Sequence, residues 1–412
     1  MIDLVLVHAG ELITGAGRGE TAEELGVIED GALLVEEGRV SWVGTTRELR
    51  RRVLGKARRT LDAEGCLVTP GLVDAHTHLL FAGSREDELE RKASGESYIS
   101  ILQGGGGILK TIQDTRAAST QEIVKQSNMR LTQLLKNGVT TAEVKTGYGQ
   151  DIPGELKMLE AIRRLRVRSS VELVPTFLGL HAHPPEFKGV AEYVDFAIRK
   201  MLPAAASAKS RPSFSDCFCE DGVFAREDCE KYLKASKSLG FALKVHADEF
   251  ADSGGASLGA ELGCVSADHL GGSNSTGIRA MALKGVTAVL LPGTSLCTSI
   301  PYADARGIIG AGCHVALGTD LSPNSWIESP QLVMSLACNA MKMTPSEALL
   351  GFTKYAAKAI GRDDLGSLVV GSPADLVLHT VPSYRFIPYR LGGQYVQRVF
   401  KSGKQVYEAE GD

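Results

Sequence analysis

The sequence predicts an α/β protein: a parallel, TIM-like (β/α)8 barrel with a small composite β-sandwich domain built from both termini. Three features of the sequence lead to this prediction. They are eight short apolar segments, longer amphipathic stretches between those segments, and two flanking regions with turn-rich strand patterns. Parallel strands that are buried on both faces are nearly continuous in apolar residues, and regular strand–helix alternation is typical of a parallel sheet.

The eight apolar segments lie between residues 67 and 321, and each ends in Gly, Asp, His or another turn-forming residue. Many are rich in β-branched residues, which favour strands. Eight parallel strands with helices between them predict a closed barrel. In chain order the segments are LVTPGLVDAH, GVTTAEVKTG, VELVPTFLGL, FSDCFCEDG, FALKVHADE, CVSADHL, GVTAVLLPG and CHVALGTDL.

The stretches between these segments have helical periodicity. Apolar residues recur at intervals of three and four, as in TQEIVKQSNMRLTQLLKNG and IPGELKMLEAIRRLRVR. That spacing places the apolar side chains on one face of a helix, where they can pack against a sheet.

The two flanking regions predict a separate β domain. Near the N-terminus lie two strand–turn–strand patterns, DLVLVHAGELITG and ALLVEEGRVSWVG. Near the C-terminus the same kind of strand-rich pattern occurs in GSPADLVLHTV and YVQRVFKSGKQVYE. We therefore expect one composite domain of residues 1–66 and 361–412 around a catalytic barrel of residues 67–360.

Composition excludes several functional classes. The 412 residues carry a formal net charge of −4, with Lys and Arg scattered, so no basic stripe for a nucleic acid or an acidic membrane is evident. The N-terminus lacks signal-peptide features, and no apolar run approaches the roughly 18 residues of a membrane span. The eight cysteines include no CxxC pair, so neither a disulfide framework nor a zinc knuckle is expected. We expect a cytoplasmic protein.

The first apolar segment ends in an HxH pair, His76 and His78. Residues two apart on a strand point to the same face, so both imidazoles can project into the barrel mouth. The pair alone leaves open a metal clamp or two hydrogen-bonded surface histidines. Later segments supply further candidates, because His246, His269 and Asp320 each lie at a strand end, where barrel enzymes place their chemistry.

These residue types suit a divalent metal. Neutral imidazoles and a carboxylate ligate Zn²⁺ or Fe²⁺ while leaving a position for water, whose pKa the metal would lower enough to supply hydroxide. Glu249 follows His246 by three residues, within reach of a substrate beyond the strand end, so a proton shuttle is its expected role.

Together these motifs carry a family resemblance. VTPGLVDAHTH, two later histidines and GTD, in order on successive strands, resemble the amidohydrolase superfamily of metal-dependent hydrolases. A closer resemblance, to the imidazolonepropionase family, runs from about residue 60 to the C-terminus. It rests on HTHLLFAGSREDE, GGGGILKTIQDTR, TTAEVKTGYG, VPTFLGLHAHP, VHADEF and IPYRLGGQYVQRVFKSGK.

The resemblance implies hydrolysis of the ring C–N bond of 4-imidazolone-5-propanoate to N-formimidoyl-L-glutamate in histidine degradation. It implies a homodimer and one divalent metal per chain, Zn²⁺ or Fe²⁺. The implied metal ligands are His76, His78, His246 and Asp320. The implied catalytic residues are Glu249, His269 and Asp320, with His269 beside the hydrolytic water. The implied substrate contacts are Arg85, Tyr148, His181 and Glu249, with Arg85 and Tyr148 facing the propionate.

The residue chemistry agrees with these roles, because a guanidinium suits a carboxylate and a phenol adds a directional hydrogen bond. Simpler interpretations stay open: Arg85 could pair with Glu86 or Asp87, and Tyr148 could be a packing aromatic. We expect hydroxide to attack a ring carbon while His269 or Asp320 receives its proton, and Glu249 to protonate the departing nitrogen. Superfamily members with two metals bridge them with a carboxylated lysine on the fourth strand. Here the fourth segment contains no lysine, and Lys145 belongs to the second segment, so we expect one metal per chain.

One segment departs from the family pattern. After the metal aspartate, family members commonly continue Asn-Pro-Gly and a small hydroxyl residue, whereas here Ser322 and Asn324 take the Asn and Gly positions, before Ser325. Serine is shorter than asparagine, and Asn324 adds bulk where glycine was free. We expect all three residues to contact the substrate.

This departure leaves open an alternative function, in which the protein is a related amidohydrolase or aminohydrolase that acts on another small carboxylated heterocycle. A non-catalytic scaffold is disfavoured, because every metal and proton-transfer position is filled.

Overall fold

The computed structural model describes residues 2–17, 25–49, 57–96 and 106–410. The strands in chain order are β1 (Ile2–Ile13), β2 (Val27–Glu36), β3 (Arg39–Thr45), β4 (Thr60–Asp62), β5 (Leu67–Pro70), β6 (Leu72–Asp74), β7 (Val139–Lys145), β8 (Glu172–Leu180), β9 (Phe214–Cys219), β10 (Ala242–Ala247), β11 (Ser266–His269), β12 (Thr287–Leu290), β13 (Val315–Leu317), β14 (Leu376–His379), β15 (Val396–Lys401) and β16 (Lys404–Glu408).

The helices lie mainly between the barrel strands. They span Thr46–Leu49, Glu88–Ala93, Gly107–Ala117, Thr120–Lys136, Ile152–Arg168, Val190–Phe196, Leu202–Ala206, Arg226–Ser238, Gly255–Leu262, Ser275–Lys284, Pro292–Thr298, Ala305–Gly310, Pro330–Asn339, Pro345–Gly351, Lys354–Ala359 and Phe386–Tyr389, with a π-helical turn at Ala197–Met201. The two helices quoted from sequence periodicity are confirmed at Thr120–Lys136 and Ile152–Arg168. None of the described helices has both the length and the apolar character that a membrane span requires.

Strands β6 to β13 form the barrel. Each pairs in parallel with the next in chain order, so the sheet runs without interruption from β6 to β13. Main-chain contacts beyond the strand ends link the first strand to the last: the Asp320 amide donates to the His76 carbonyl at 3.0 Å, and the His78 amide donates to the Leu321 carbonyl at 3.0 Å. The sequence-based prediction of a parallel (β/α)8 barrel is therefore confirmed.

The remaining strands form a second sheet from both ends of the chain. Its order is β16-β15-β14-β5-β1-β2-β3, and β4 pairs with β1. Apolar side chains from both termini, such as Leu6, Leu33, Leu376 and Phe400, share one core cluster. This confirms the predicted β domain built from both termini, while its exact boundaries stay a prediction.

Two details of this domain differ from the sequence-based expectation. DLVLVHAGELITG was expected to be strand–turn–strand, but it lies within and just beyond a single strand, β1, with a bulge between Leu6 and Ala9 where His8 has φ of 55°. The bulge accommodates the polar residues without ending the strand. LVTPGLVDAH comprises two strands rather than one, because β5 pairs with β14 and only β6 joins the barrel.

Candidate active site

Three imidazoles meet at the C-terminal ends of the barrel strands. His76 and His78 follow β6, and their Nε2 atoms lie 3.1 Å apart. His246, near the end of β10, places its Nε2 3.2 Å from that of His78. All three side chains are buried. Two ligand atoms at about 2.0–2.1 Å from one ion, at angles between 90° and tetrahedral, would lie roughly 2.8–3.4 Å apart. The spacing of the rings therefore fits a shared metal ion.

Asp320 completes the cluster from beyond β13. Its Oδ1 lies 3.6 Å from Nε2 of both His76 and His78, and its Oδ2 accepts a hydrogen bond from the Thr294 hydroxyl at 2.5 Å. Asp320 has φ of 50°, in a region sparsely populated by residues other than glycine. Such strain persists where the surroundings dictate the backbone, which is common at functional sites.

The motifs VDAHTH and GTD also contact each other directly. The buried Asp74 carboxylate accepts hydrogen bonds from the Thr319 amide at 3.0 Å and the Thr319 hydroxyl at 2.6 Å. A Cβ on Gly318 would lie 2.9 Å from Cβ of His76, so only glycine permits the close approach of these strand ends. Asp74, Gly318 and Thr319 therefore fix the relative position of the first and last metal-site segments.

The protonation preferences of these groups suit metal binding. Burial lowers the pKa of His76 and of His78 well below the usual range, so both rings are neutral, the form that ligates metals. Burial raises the pKa of the Asp320 carboxyl to about 6 despite the hydrogen bond from Thr294. Among the described residues, the only basic groups within 4 Å of the Asp320 carboxylate are these two neutral histidines, so no protein cation pairs with it. A divalent cation would compensate this buried carboxylate.

A set of charged residues lies beneath the imidazoles, inside the barrel. Five side chains with no measurable exposure make up this buried charge network: Glu143, Lys145, Asp216, Lys244 and Asp268. Asp268 Oδ2 lies 2.7 Å from His76 Nδ1, and Asp216 Oδ2 lies 3.0 Å from His246 Nδ1. A carboxylate against the far nitrogen of a ligating histidine fixes the ring orientation and tautomer.

Two lysines form ion pairs with the three carboxylates of the buried charge network. Lys145 Nζ lies 2.8 Å from Asp216, 2.9 Å from Glu143 and 3.5 Å from Asp268. Lys244 Nζ lies 2.9 Å from Glu143 and donates to the Ala75 carbonyl at 3.1 Å. Burial alone would lower the pKa of Lys145, but these carboxylates outweigh it and raise the pKa. Lys145 is therefore a charged structural cation, unsuited to carboxylation.

Glu249 and His269 lie close to each other beside the imidazole cluster. His269 Nε2 is 3.7 Å from Glu249 Oε2, and the His269 ring centroid is 5.4 Å from that of His76 and 5.3 Å from that of His246. Burial raises the pKa of the Glu249 carboxyl well above its usual range, and the negative charges of Asp320 and Glu220 add to this. A carboxyl group with a raised pKa can both give and take a proton near neutral pH.

The chain beyond β10 holds Glu249 in place. The carboxylate of Glu220 accepts hydrogen bonds from the amides of Phe250 and Ala251, both at 3.1 Å. Asp248 accepts from the amides of Gly255 at 2.7 Å and Ala256 at 3.1 Å, which joins the loop to the start of helix Gly255–Leu262. Each side of Glu249 is thus tied to a rigid element.

Tyr148 and His181 line the adjacent wall. The His181 ring stacks on His78 with centroids 4.8 Å apart, and Tyr148 lies 5.1 Å from His181. His181 Nδ1 is 3.1 Å from the Gly147 carbonyl oxygen. Gly147 has φ of 110°, and a Cβ there would lie 3.0 Å from His181 Nδ1, so glycine is required for this arrangement. His183 contacts the Tyr193 ring instead, with centroids 6.3 Å apart. The second HxH pair therefore does not converge on one point.

Arg85 is buried at the barrel mouth, but its ion-pair partner differs from those considered from the sequence. Its Nε and Nη2 donate to the two carboxylate oxygens of Glu88, each at 3.0 Å, rather than pairing with Glu86 or Asp87. Nη2 also donates to Asn324 Oδ1 at 3.1 Å. Arg85 keeps Nη1 without a hydrogen-bond partner among the described residues, so a guanidinium edge is available to a ligand.

The loop after β13 contributes Asn324 and two serines. The Ser322 hydroxyl accepts from the Ser325 amide at 3.1 Å, which closes a tight turn. The Ser325 hydroxyl is buried and has no partner among the residues described. Trp326 packs edge-on against Phe81, with ring centroids 5.1 Å apart, and the Arg130 guanidinium lies 4.9 Å from the Trp326 ring. The loop is thereby anchored to the segment that carries Arg85.

The structure thus brings all the sequence-predicted site residues to one end of the barrel, around the imidazoles or at the mouth. Sequence reasoning singled out Lys145 but missed the rest of the buried charge network and the supporting residues Asp74 and Glu220. A usable signal was present, because Glu143, Asp216 and Asp268 lie within segments predicted to be buried barrel strands. Charges within such strands are rare unless they are paired.

Comparison with known proteins places the chain in a family. The sequence profile of the amidohydrolase family matches residues 67–406. The chain is 45% identical over 415 residues to an imidazolonepropionase of Symbiobacterium thermophilum, covering 99% of this chain and 98% of that protein. It is 43% identical over 408 residues to an imidazolonepropionase of Parabacteroides distasonis, covering 97% and 98%.

Solved structures share the fold at low sequence identity. An adenosine deaminase from Xanthomonas campestris with bound zinc has a TM-score of 0.75 at 18% identity, covering 98% of this chain and 92% of that one. E. coli guanine deaminase has a TM-score of 0.75 at 17% identity, with 100% coverage of both chains. The matched profile and the full-length relatives determine the assignment: the chain belongs to the amidohydrolase family and, within it, to the imidazolonepropionase family.

Proposed function

We propose that the protein hydrolyses 4-imidazolone-5-propanoate to N-formimidoyl-L-glutamate, a step of histidine degradation. The observation that carries the proposal is the 45% identity to an imidazolonepropionase over nearly the full length of both chains. The cluster of His76, His78, His246 and Asp320 supports it, because these side chains are buried at the strand ends and spaced for one metal ion.

In the proposed reaction water opens the ring at its carbonyl carbon. A C–O bond forms, the C–N bond of the ring amide breaks, and the carbonyl carbon becomes a carboxylate. The departing nitrogen takes one proton and remains in the formimidoyl group, so no ammonia is released. The product therefore carries two carboxylates, the original propionate and the new one.

We propose that His76, His78, His246 and Asp320 hold a single divalent metal, Zn²⁺ or Fe²⁺. Such an ion, when bound, would supply a water that is acidic enough to react near neutral pH. Asp268 and Asp216 orient the rings of His76 and His246 from behind. Lys145 makes ion pairs with three buried carboxylates, so it offers no bridging group for a second metal, which supports one metal per chain.

Three residues are proposed to move protons. We propose that Asp320 or His269, both of which lie next to the imidazole cluster, receives the proton of the attacking water. Glu249 would deliver a proton to the departing ring nitrogen, a role that its raised pKa suits because the carboxyl group can be protonated before the C–N bond breaks.

The substrate contacts are proposed from position and chemistry. Arg85 presents a guanidinium edge for the propionate, and Tyr148 lies buried with its ring centroid 6.0 Å from that of His78. His181, which stacks on His78, is proposed to contact the substrate ring. Ser322, Asn324 and Ser325 form the adjoining wall. A homodimer and a cytoplasmic location stay predictions.

A substrate panel tests this function. Purified protein loaded with Zn²⁺ or Fe²⁺ is given imidazolone propionate, other cyclic amides and aminopurines, and ring opening and ammonia release are followed in parallel. Ring opening of imidazolone propionate without ammonia is the expected result. Ammonia release from a different heterocycle, with imidazolone propionate untouched, would replace the proposal with an aminohydrolase.

A further inference from the structure

A second cation lies beside Arg85 at the barrel mouth. Lys92, on helix Glu88–Ala93, donates from Nζ to Asn324 Oδ1 at 3.0 Å, and Arg85 Nη2 donates to the same oxygen at 3.1 Å. Two positive groups from one short segment thus converge on a single neutral oxygen. An amide oxygen is a weaker acceptor for cationic donors than a carboxylate, so an anion can replace it favourably.

The charge around this oxygen is not balanced. Glu88 compensates Arg85 through two hydrogen bonds, and its Oε1 also accepts from the Gly107 amide at 2.6 Å. Within the described part of the chain, Lys92 has no carboxylate within ion-pair distance, and residues 97–105, which are not described, contain no acidic residue. The group of Arg85, Glu88 and Lys92 therefore keeps one net positive charge.

This positive charge is partly shielded from water. Arg85 and Glu88 are buried and Lys92 is half-buried. Burial lowers the pKa of Lys92, and the nearby Arg85 lowers it further. Holding two cations together in a partly desolvated place is unfavourable unless an anion is bound there, so the arrangement indicates a site for a single carboxylate.

We propose that Lys92 is a substrate-binding residue that, together with Arg85, binds the propionate carboxylate, and that Asn324 holds the two cations in position. This inference rests on the proposed function, since it names a residue that binds the negatively charged carboxylate of the proposed substrate. Lys92 contacts the carboxylate directly, while the Asn324 amide oxygen occupies the position between the cations when no substrate is bound. A solely structural clamp on the Asn324 loop is the competing interpretation.

Paired ligands separate the two interpretations. 3-(Imidazol-4-yl)propanoate lacks the ring carbonyl and cannot be hydrolysed, and its primary amide differs only in charge. Calorimetry of both compounds with wild type and Lys92→Met tests the contact. We expect the variant to bind the acid about tenfold more weakly and the amide within about twofold of wild type, because only the acid uses the cation. Lys92→Arg should restore most of the affinity for the acid.

A second variant adds a charge without changing size. Asn324→Asp places a carboxylate within hydrogen-bond distance of both cations and should weaken acid binding by at least about tenfold, with the amide less affected. Lys231→Met is the matched control, because the Lys231 side chain is 67% exposed and pairs with Asp228 on a distant helix. This control should bind both ligands like wild type.

The outcomes distinguish this inference from the proposed function. Equal losses for acid and amide in Lys92→Met, or no loss for the acid, would overturn the role of Lys92. Steady-state kinetics on imidazolone propionate complete the test, with a raised KM and little change in kcat expected for Lys92→Met. A wild-type protein that bound the acid through Lys92 but failed to open imidazolone propionate would overturn the function instead.

Discussion

Buried charge is used differently at the two ends of the metal cluster. Beneath it, the buried charge network is fully enclosed, and its carboxylates pair with two lysines and with the far nitrogens of His76 and His246. At the mouth, Arg85 is paired with Glu88, but Lys92 adds a charge that no described carboxylate balances. The comparison teaches that charges with ion-pair partners position the metal ligands, whereas a charge without such a partner is available to bind a substrate.

Glu249→Gln should have the largest effect on catalysis. The amide keeps the size of the carboxyl group but cannot transfer a proton, so kcat should fall about a thousandfold. Metal content, measured by atomic emission, should stay at that of wild type. Glu227→Gln, an exposed change on helix Arg226–Ser238, is the control. A variant that kept full turnover with metal bound would remove Glu249 from the mechanism.

Arg85→Ala should separate substrate binding from metal binding. Loss of the guanidinium should raise KM for imidazolone propionate about a hundredfold, equivalent to roughly 2.7 kcal/mol, while metal content is unchanged. The change also leaves the buried Glu88 unpaired, so assays are run well below the unfolding midpoint. Arg199→Ala, whose parent side chain is 73% exposed, is the control. An unchanged KM would show that Arg85 serves only as a partner of Glu88.

Lys145→Met should mainly reduce stability. Removing this lysine leaves buried carboxylates without their principal cation, which typically costs about 3–5 kcal/mol when one partner of a buried pair is removed. The free energy of unfolding is measured with urea on metal-free protein, so that lost metal affinity does not enter the result. Lys231→Met is the exposed control. A loss no larger than that of the control would contradict the view that the network is held by its lysines.

Trp326→Leu should have the smallest effect. Trp326 packs against Phe81 and lies beside the Arg130 guanidinium, which joins the Asn324 loop to the segment carrying Arg85. Losing these contacts should weaken the connection by about 0.5–1 kcal/mol and raise KM about two- to fivefold, with kcat nearly unchanged. The variant leaves Phe81, the ring partner of Trp326, unchanged. A large fall in kcat would show that the loop acts on chemistry rather than on binding.

The fold could be predicted from sequence because its signals are local. All eight barrel strands correspond to apolar segments that end in turn residues, and β6 is the shortened second half of the first of these segments. The periodic helices could be predicted for the same reason. The continuity of β1 could not, because a bulge at His8 and a true turn look alike in a short polar stretch.

The metal cluster could be anticipated because strand ends of a barrel meet in space. The order of His76, His78, His246 and Asp320 along the chain was enough to place them together. The choice of Glu88 over Glu86 or Asp87 as the partner of Arg85 depends on side-chain direction within one short segment, which spacing alone does not give. The contact of Lys92 with Asn324 depends on side-chain direction across the mouth. The network beneath the metal depends on contacts between distant strands, such as that of Lys145 with Asp216.

The dissociation constant for Zn²⁺ tests most directly whether the buried charge network supports metal binding while the charged residues at the barrel mouth do not. It is measured by competition with a chromophoric chelator for wild type, Asp268→Asn and Arg85→Ala. Asp268→Asn should bind Zn²⁺ about 10–100-fold more weakly, because the amide cannot hold the His76 ring as the carboxylate does, while Arg85→Ala should stay within about twofold of wild type. Equal losses in both variants, or wild-type affinity in Asp268→Asn, would contradict this account.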